Sequence, residues 1–253
     1  MCIILYLLAR DGWLILLAAR LSPLTPLITA PSQWYLPVPL PPTHTLSPQV
    51  QSSIDEYLAR HFRGPVLLRD FALSTDGAII SRELTSSHRD TDPSVVLSDD
   101  NRIGNCWYIP SSHGQVGIAL PTFIRPTNVS IDHIPVEVAA EPGQAPRRMI
   151  LWGVVDGEQN TALYHQFSEE LQANVSVRRM APPLVFEGEA ELFVVLSEFE
   201  YNISRLALVQ TFPVRPVVQQ LDFDFGQVVL EISENWGAEG TCLYRVRIHG
   251  ERA

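Results

Sequence analysis

Seven histidines, three cysteines and 28 acidic residues supply the reactive side chains of this 253-residue sequence. The histidines, at 44, 61, 88, 113, 133, 165 and 249, stand singly. No His-Glu-x-x-His helix, Gly-x-Ser-x-Gly turn or glycine-rich phosphate loop accompanies them. Asp132-His133 offers half of a Ser-His-Asp arrangement, yet neighbours on one strand point to opposite faces and cannot bond side by side. The carboxylate pairs Asp99-Asp100 and Asp222/Asp224 read as solvated loop charges. With no nucleophile, base and orienting acid in register, the expected chemistry is recognition and not turnover.

The cysteines say more. Three thiols are too few for a four-thiolate zinc site or a disulfide-dense scaffold, and leave room for one bridge with one residue over. Cys106, in Gly104-Asn105-Cys106-Trp107, precedes the first strong strand pattern, and Cys242 lies in the last. A bridge between them would tie the two ends of a sandwich and requires an oxidising compartment; two buried free thiols fit the same positions. Asn-x-Ser sequons at Asn128, Asn174 and Asn202 suit that compartment too.

These side chains need elements to position them. A composition of 46% hydrophobic and 18% charged residues suits a folded domain with a sizeable core. The net charge of −10 disfavours nucleic acid and anionic lipid as electrostatic partners. At the N-terminus (1–22), the apolar runs Met1–Ala9 and Gly12–Ala19 are interrupted by Arg10 and Asp11. On the insertion scale, central charges costing roughly 2.5–3.5 kcal/mol each nearly cancel the gain from the aliphatic residues, so the segment is a marginal membrane anchor. Recurrent prolines make 23–48 an extended spacer. Val50, Ile54 and Leu58 fall at helical spacing, which predicts a short helix over Val50–Phe62.

From there the pattern changes to period two. Val116, Ile118 and Leu120 alternate with small or polar residues, as do Val129, Ile131 and His133. Val228, Leu230 and Ile232 do likewise, and Cys242, Tyr244, Val246 and Ile248 share one face of a last strand. Ala78–Ser81, Arg148–Val155, Leu192–Leu196 and Leu206–Phe212 complete the set of strands. The expected fold is mainly β, a jelly-roll-like β-sandwich over 49–253 with solvated outer faces, preceded by one short helix. The stretch 156–190, with a helix at Tyr164–Gln172, reads as a surface insertion.

Asn235-Trp236-Gly237 followed by Thr241-Cys242-Leu243-Tyr244-Arg245-Val246-Arg247-Ile248-His249-Gly250 resembles the closing signature of SUN domains. In the same order upstream stand Asp70-Phe71-Ala72-Leu73, Gly104-Asn105-Cys106-Trp107, Arg125-Pro126-Thr127, Asp132-His133-Ile134-Pro135, Ala145-Pro146, Trp152-Gly153 and Gln210-Thr211-Phe212-Pro213. The chain is similar to the short, fungal-type members of that family. The resemblance implies a non-enzymatic adaptor in the lumen of the nuclear envelope or endoplasmic reticulum, anchored by an N-terminal span. It also implies trimerisation and a grip on the C-terminal tail of a KASH protein, bridging nucleus and cytoskeleton. By the same resemblance, Cys106 and Cys242 match an internal disulfide, and Val95–Asn105 matches a cation loop. There Val95, Ser98, Asp100, Asn105 and Tyr244 offer oxygens to a monovalent ion such as potassium, with no other cofactor implied. His133 and Tyr244 match residues lining the pocket for the partner's terminus, Gly114 a glycine beside it, and Gln144 the place of a pocket serine.

The chain departs from the family at several places. Between Arg82 and Val95 only a short polar stretch replaces the long lid, Gly240 stands where tyrosine is common, and Leu84 replaces a cysteine able to cross-link a tail. Two other expectations stand beside the adaptor: a SUN-like endoplasmic-reticulum protein of folding or quality control, and a glycan-binding sandwich.

Overall fold

A computed structural model describes residues 47–54, 68–86, 92–176, 179–183 and 191–253. The chain divides into two units, 1–54 and 55–253. Of the first, residues 47–54 are described and 48–54 are helical, with Val50 and Ile54 exposed. The apolar run 1–22, the spacer up to residue 46 and the rest of the expected helix to Phe62 lie outside the described residues. No described helix is long and apolar enough to cross a membrane.

The second unit is a β-sandwich of nine strands among the described residues. They are β1 (Ile79–Ser81), β2 (Trp107–Ile109), β3 (Gly114–Asp132), β4 (Pro146–Val155), β5 (Leu192–Glu200), β6 (Val209–Pro213), β7 (Phe225–Asn235), β8 (Thr241–Leu243) and β9 (Arg245–Arg252). All pairings are antiparallel. One layer runs β1-β3-β7-β4-β5. The other is built on the same strand, with β6 and β9 flanking the second half of β3. β3 serves both layers because its register breaks between Ala119 and Ile124, around Pro121, and again at Pro126. A proline donates no ladder bond, so the strand leaves one sheet there and enters the other. Val116, Ile118, Leu230, Leu151 and Leu196 of the first layer close on Val129, Ile131, Val246 and Ile248 of the second, all within one buried cluster.

The outer face of the first layer is not solvated as expected. Ile150, Trp152, Val154, Phe193, Val195 and Val229, the alternate positions of β4, β5 and β7, form a second buried cluster with Leu84. Val175 and Ala181 pack against it. The stretch read as a surface insertion supplies that cover and part of the main core as well. Helix α1 (Glu158–Gln166) starts earlier than expected, after Gly157 at φ 83°, and breaks at Phe167 before α2 (Ser168–Gln172). Tyr164 and Leu171 of these helices are 6% and 4% exposed.

Residues 173–176 and 179–181 then lie over the outer face as a strap. Arg215, before helix α3 (Pro216–Gln220), donates to the carbonyls of Leu171 at 2.7 Å and Ala173 at 2.6 Å. Ser176 donates to Glu198 at 2.9 Å. Arg179 pairs with Glu231, which also accepts the Trp152 indole N–H at 2.9 Å.

The expected last strand is two strands, β8 and β9, with Tyr244 between them. Its second face is also covered. Arg245 and His249 are 6% and 1% exposed because the chain around Asp70 lies over β9. Asp70 pairs with Arg245 at 2.8 Å, the Phe71 N–H donates to the Ile248 carbonyl at 2.8 Å, and His249 Nδ1 meets the Arg69 carbonyl at 2.9 Å. A buried charge is tolerated only when paired, so the Asp70 motif seals this face. Asn235 closes the turn from β7 to β8, its amide donating to the carbonyls of Ala238 and Gly240 at 2.9 Å each.

Candidate functional site

His133 follows the last residue of β3, its backbone N–H bonded to the Leu208 carbonyl at 3.1 Å. Its Nδ1 lies 3.1 Å from the Ile134 carbonyl. A carbonyl only accepts, so Nδ1 carries the proton and Nε2 presents a lone pair. Nε2 is buried and has no partner among the described residues. Burial pushes the imidazole below its ordinary value of 6.5, opposed by the bond to Ile134, so the ring is neutral at pH 7.

The ring sits between two tyrosines. Tyr244 meets it edge-on at 5.0 Å and Tyr201 lies tilted at 5.9 Å. The Tyr201 hydroxyl donates to the Leu208 carbonyl at 2.9 Å, and its pKa is pushed up to about 12, chiefly by burial and further by Asp132. Beside His133 opens a cavity of ≈ 230 Å³ walled by Ile134, Pro135, Val136, Tyr201, Ile203 and Leu208, with exposed Glu137 and Arg205 at its edge. Leu206, 99% exposed, and Val136, Val138 and Leu208, between 37% and 48% exposed, form an uncovered apolar rim. The expected strand from Leu206 in fact begins at Val209, which leaves these leucines in a surface loop.

The loop Val95–Asn105 is tied to this site at two points. Asn101 donates to the Asp132 carboxylate at 2.8 Å, and the Tyr244 hydroxyl accepts the Gly104 N–H at 3.1 Å. Asp132, 2% exposed, also pairs with Arg247. Within the loop, the Val95 carbonyl accepts from Ser98 N at 3.1 Å and the Asp100 carbonyl from Asn105 Nδ2 at 2.8 Å. The Asp100 carboxylate is taken by Arg102, which holds it below the ordinary carboxylate value. Each carbonyl keeps a second lone pair, so a cation coordinated by backbone oxygens fits this loop better than one needing the Asp100 side chain.

Cys106 and Cys242 are bonded, with Cα atoms 5.5 Å apart. The bridge lies in a small cluster with Ile134, Ala139 and Tyr244, two of which, Ile134 and Ala139, also line the cavity. The disulfide therefore underpins the pocket floor.

Other expected site residues fall elsewhere. Tyr244 is 3% exposed and stands behind His133 without lining the cavity. Gly114 opens β3, the far end of the strand from His133, and a side chain there would meet Ile109 at 3.1 Å. Gln144 donates to Glu141 at 2.7 Å and does not line the cavity. Gly240 has a local reason: a Cβ would stand 2.3 Å from the Tyr108 hydroxyl, so the Tyr108 ring fills the space a tyrosine at 240 would need. Sequence reasoning missed Asn101, Tyr201 and Leu206. Of these, Leu206 lies in a segment whose sequence pattern reads as a strand.

The sequence matches the Sad1 / UNC-like C-terminal family over residues 86–179 and 184–252. The chain therefore belongs to this family, that of the SUN domains. It is 32% identical over 203 residues to sperm-associated antigen 4 protein of Rattus norvegicus, covering 72% of this chain and 38% of that protein. It is 28% identical over 202 residues to SUN domain-containing protein 5 of Mus musculus, covering 72% and 44%. Against SUN domain-containing protein 3 of Homo sapiens it is 28% identical over 229 residues, covering 83% and 54%. The chain thus matches roughly half or less of the length of these relatives. Among solved structures, the family 32 carbohydrate-binding module of Streptococcus pneumoniae EndoD aligns with 72% of this chain and 100% of its own, at TM-score 0.46 and 11% identity.

Proposed function

We propose that this chain is a membrane-anchored adaptor of the nuclear envelope that holds the C-terminal tail of a KASH-type partner in the lumen, linking nucleus to cytoskeleton without catalysis. Family membership and the disulfide support the compartment. The observation that carries the tail-binding reading is the unpartnered Nε2 of His133 beside a cavity with an apolar rim. Nδ1–H is held by Ile134, so a terminal carboxylate beside Nε2 would favour uptake of a second proton there from solvent and accept a hydrogen bond from the resulting imidazolium N–H. Apolar tail side chains would cover Leu206, Leu208 and Val136. Potassium would sit among the backbone oxygens of Val95, Ser98, Asp100 and Asn105 with that of Tyr244, neutralising their partial charges. Its loop would then hold Asp132 and Tyr244, on either side of His133, in place. Trimerisation and the N-terminal anchor belong to the same proposal.

The test is fluorescence anisotropy with a labelled KASH-tail peptide, as free acid and as C-terminal amide. Losing one charge-assisted bond, worth about 1.5–3 kcal/mol, should weaken the amide, or the His133→Ala variant, by about tenfold to a hundredfold. Equal affinity for acid and amide in the wild type refutes carboxylate capture.

A further inference from the structure

We propose that Asn174 and Asn202 carry N-linked glycans and that the third sequon, at Asn128, stays bare. The proposal rests on the lumenal placement above, because the transfer takes place there.

A glycan is compatible with the fold only where the asparagine nitrogen is free of other bonds and the attached bulk can leave toward solvent. Asn202 is half-buried, just before an exposed loop. Its backbone is pinned by Gln210, which accepts from Asn202 N at 3.1 Å and donates to its carbonyl at 2.7 Å. Its Oδ1 accepts the Ser204 N–H at 2.8 Å, an Asx turn within the sequon itself. The carboxamide is thus oriented through its oxygen, and Nδ2 makes no hydrogen bond among the described residues. The loop that follows is exposed from Ser204 through Leu208. Asn174 sits just past α2, exposed, at φ 59°. Asparagine tolerates that left-handed conformation better than most residues. Its amide likewise has no partner among the described residues.

Asn128 is half-buried too, but its place in the fold differs. It lies inside β3, paired with Pro213 of β6 on one side and His249 of β9 on the other. The next residues on its face, Ser130 and Asp132, are 0% and 2% exposed. The hydroxyl of Ser130, third residue of the sequon, is shared with Thr211 at 2.7 Å and His249 at 2.8 Å. An oligosaccharide at Asn128 would leave the sheet beside this covered network, so a chain modified there would not close its second layer.

The donor is a lipid-diphosphate-linked oligosaccharide. The bond from Asn Nδ2 to sugar C1 forms as the C1–O bond to the diphosphate breaks, the amide gives up one proton, and the lipid diphosphate leaves. Ile203 and Ser204 line the cavity beside His133, so a glycan on Asn202 flanks the candidate binding site.

The experiment is expression of the full chain in eukaryotic cells, followed by peptide N-glycosidase digestion, mobility and intact mass. Two glycosidase-sensitive steps are expected, one lost in Asn174→Gln and one in Asn202→Gln, with none lost in Asn128→Gln. Ser176→Ala and Ser204→Ala, which keep the asparagines, should reproduce the two losses and guard against misfolding of a single variant. Absence of any sensitive step in disulfide-bonded material, or a step lost in Asn128→Gln, overturns the proposal. If that bare protein still binds the tail peptide, this inference alone falls. If Cys106 and Cys242 are also found reduced in the cell, the lumenal reading beneath it falls with it.

Discussion

Cutting the Cys106–Cys242 bond is the perturbation whose size follows most directly from the molecule. The two residues are 136 apart in sequence, so the bridge closes most of the sandwich into one loop. Loop-closure entropy for that separation amounts to about 5 kcal/mol at 25 °C, and measured native bridges usually return about 2–5 kcal/mol. The strands at this corner also reach the main core through Trp107, Ile109 and Leu243. β2 and β8 share three residue pairs, and the cluster around the bridge has only Ile134 and Tyr244 as its other buried members. For a domain of this size each kcal/mol moves the melting point by about 2–4 °C, so loss of the bridge should lower it by roughly 4–20 °C. The assay is urea and thermal unfolding of three samples: oxidised protein, reduced protein, and the Cys106→Ser/Cys242→Ser double variant. Reduced and double-variant samples should coincide, and reductant should not shift the double variant. A cost below about 1 kcal/mol, or a double variant as stable as the oxidised protein, would show that the bridge does not constrain the chain in the way argued.

Stability should also fall as pH drops from 7 towards 5. Burial lowers the pKa of both His133 and His249 from the ordinary 6.5, so the unfolded chain takes up protons before the folded one does. The contribution of each ring is complete above 6.5 and is lost as pH falls towards its folded value, with a slope of at most about 1.4 kcal/mol per pH unit. Urea midpoints measured at several pH values should show this, and His133→Gln should flatten the slope; a flat wild-type profile contradicts it. Arg247→Met leaves the buried Asp132 carboxylate with Asn101 as its remaining side-chain partner, and should cost about 3–5 kcal/mol in urea unfolding. A loss under about 1 kcal/mol would mean that water reaches the Asp132 carboxylate.

Strand identity was legible wherever burial repeats with period two. Val228, Leu230 and Ile232 are 0–1% exposed, and nothing beyond their alternation was needed to place them inward. The same rule misled at the alternate positions. Val229 and Glu231 were expected at a solvated face, yet they are covered by the strap and its Arg179. A strand pattern reports which residues are apolar, and it cannot report that a loop some fifty residues away will lie over the other face. The break at Tyr244 was hidden for a similar reason. It depends on bonds to Gly104 and packing on His133, 140 residues away in the first case.

The chain's own letters therefore determined family, sandwich class, the cysteine pair and His133 as a residue worth watching, because those rest on local spacing and ordered motifs. Only tertiary structure decided that His133 keeps a bare, buried Nε2 at a cavity, that Tyr244 stands behind it, and that Asn101, Tyr201 and Leu206 complete the surroundings. These features depend on contacts between segments distant in sequence, and such contacts form only when β3 bends from one sheet into the other and brings its far end beneath the loops.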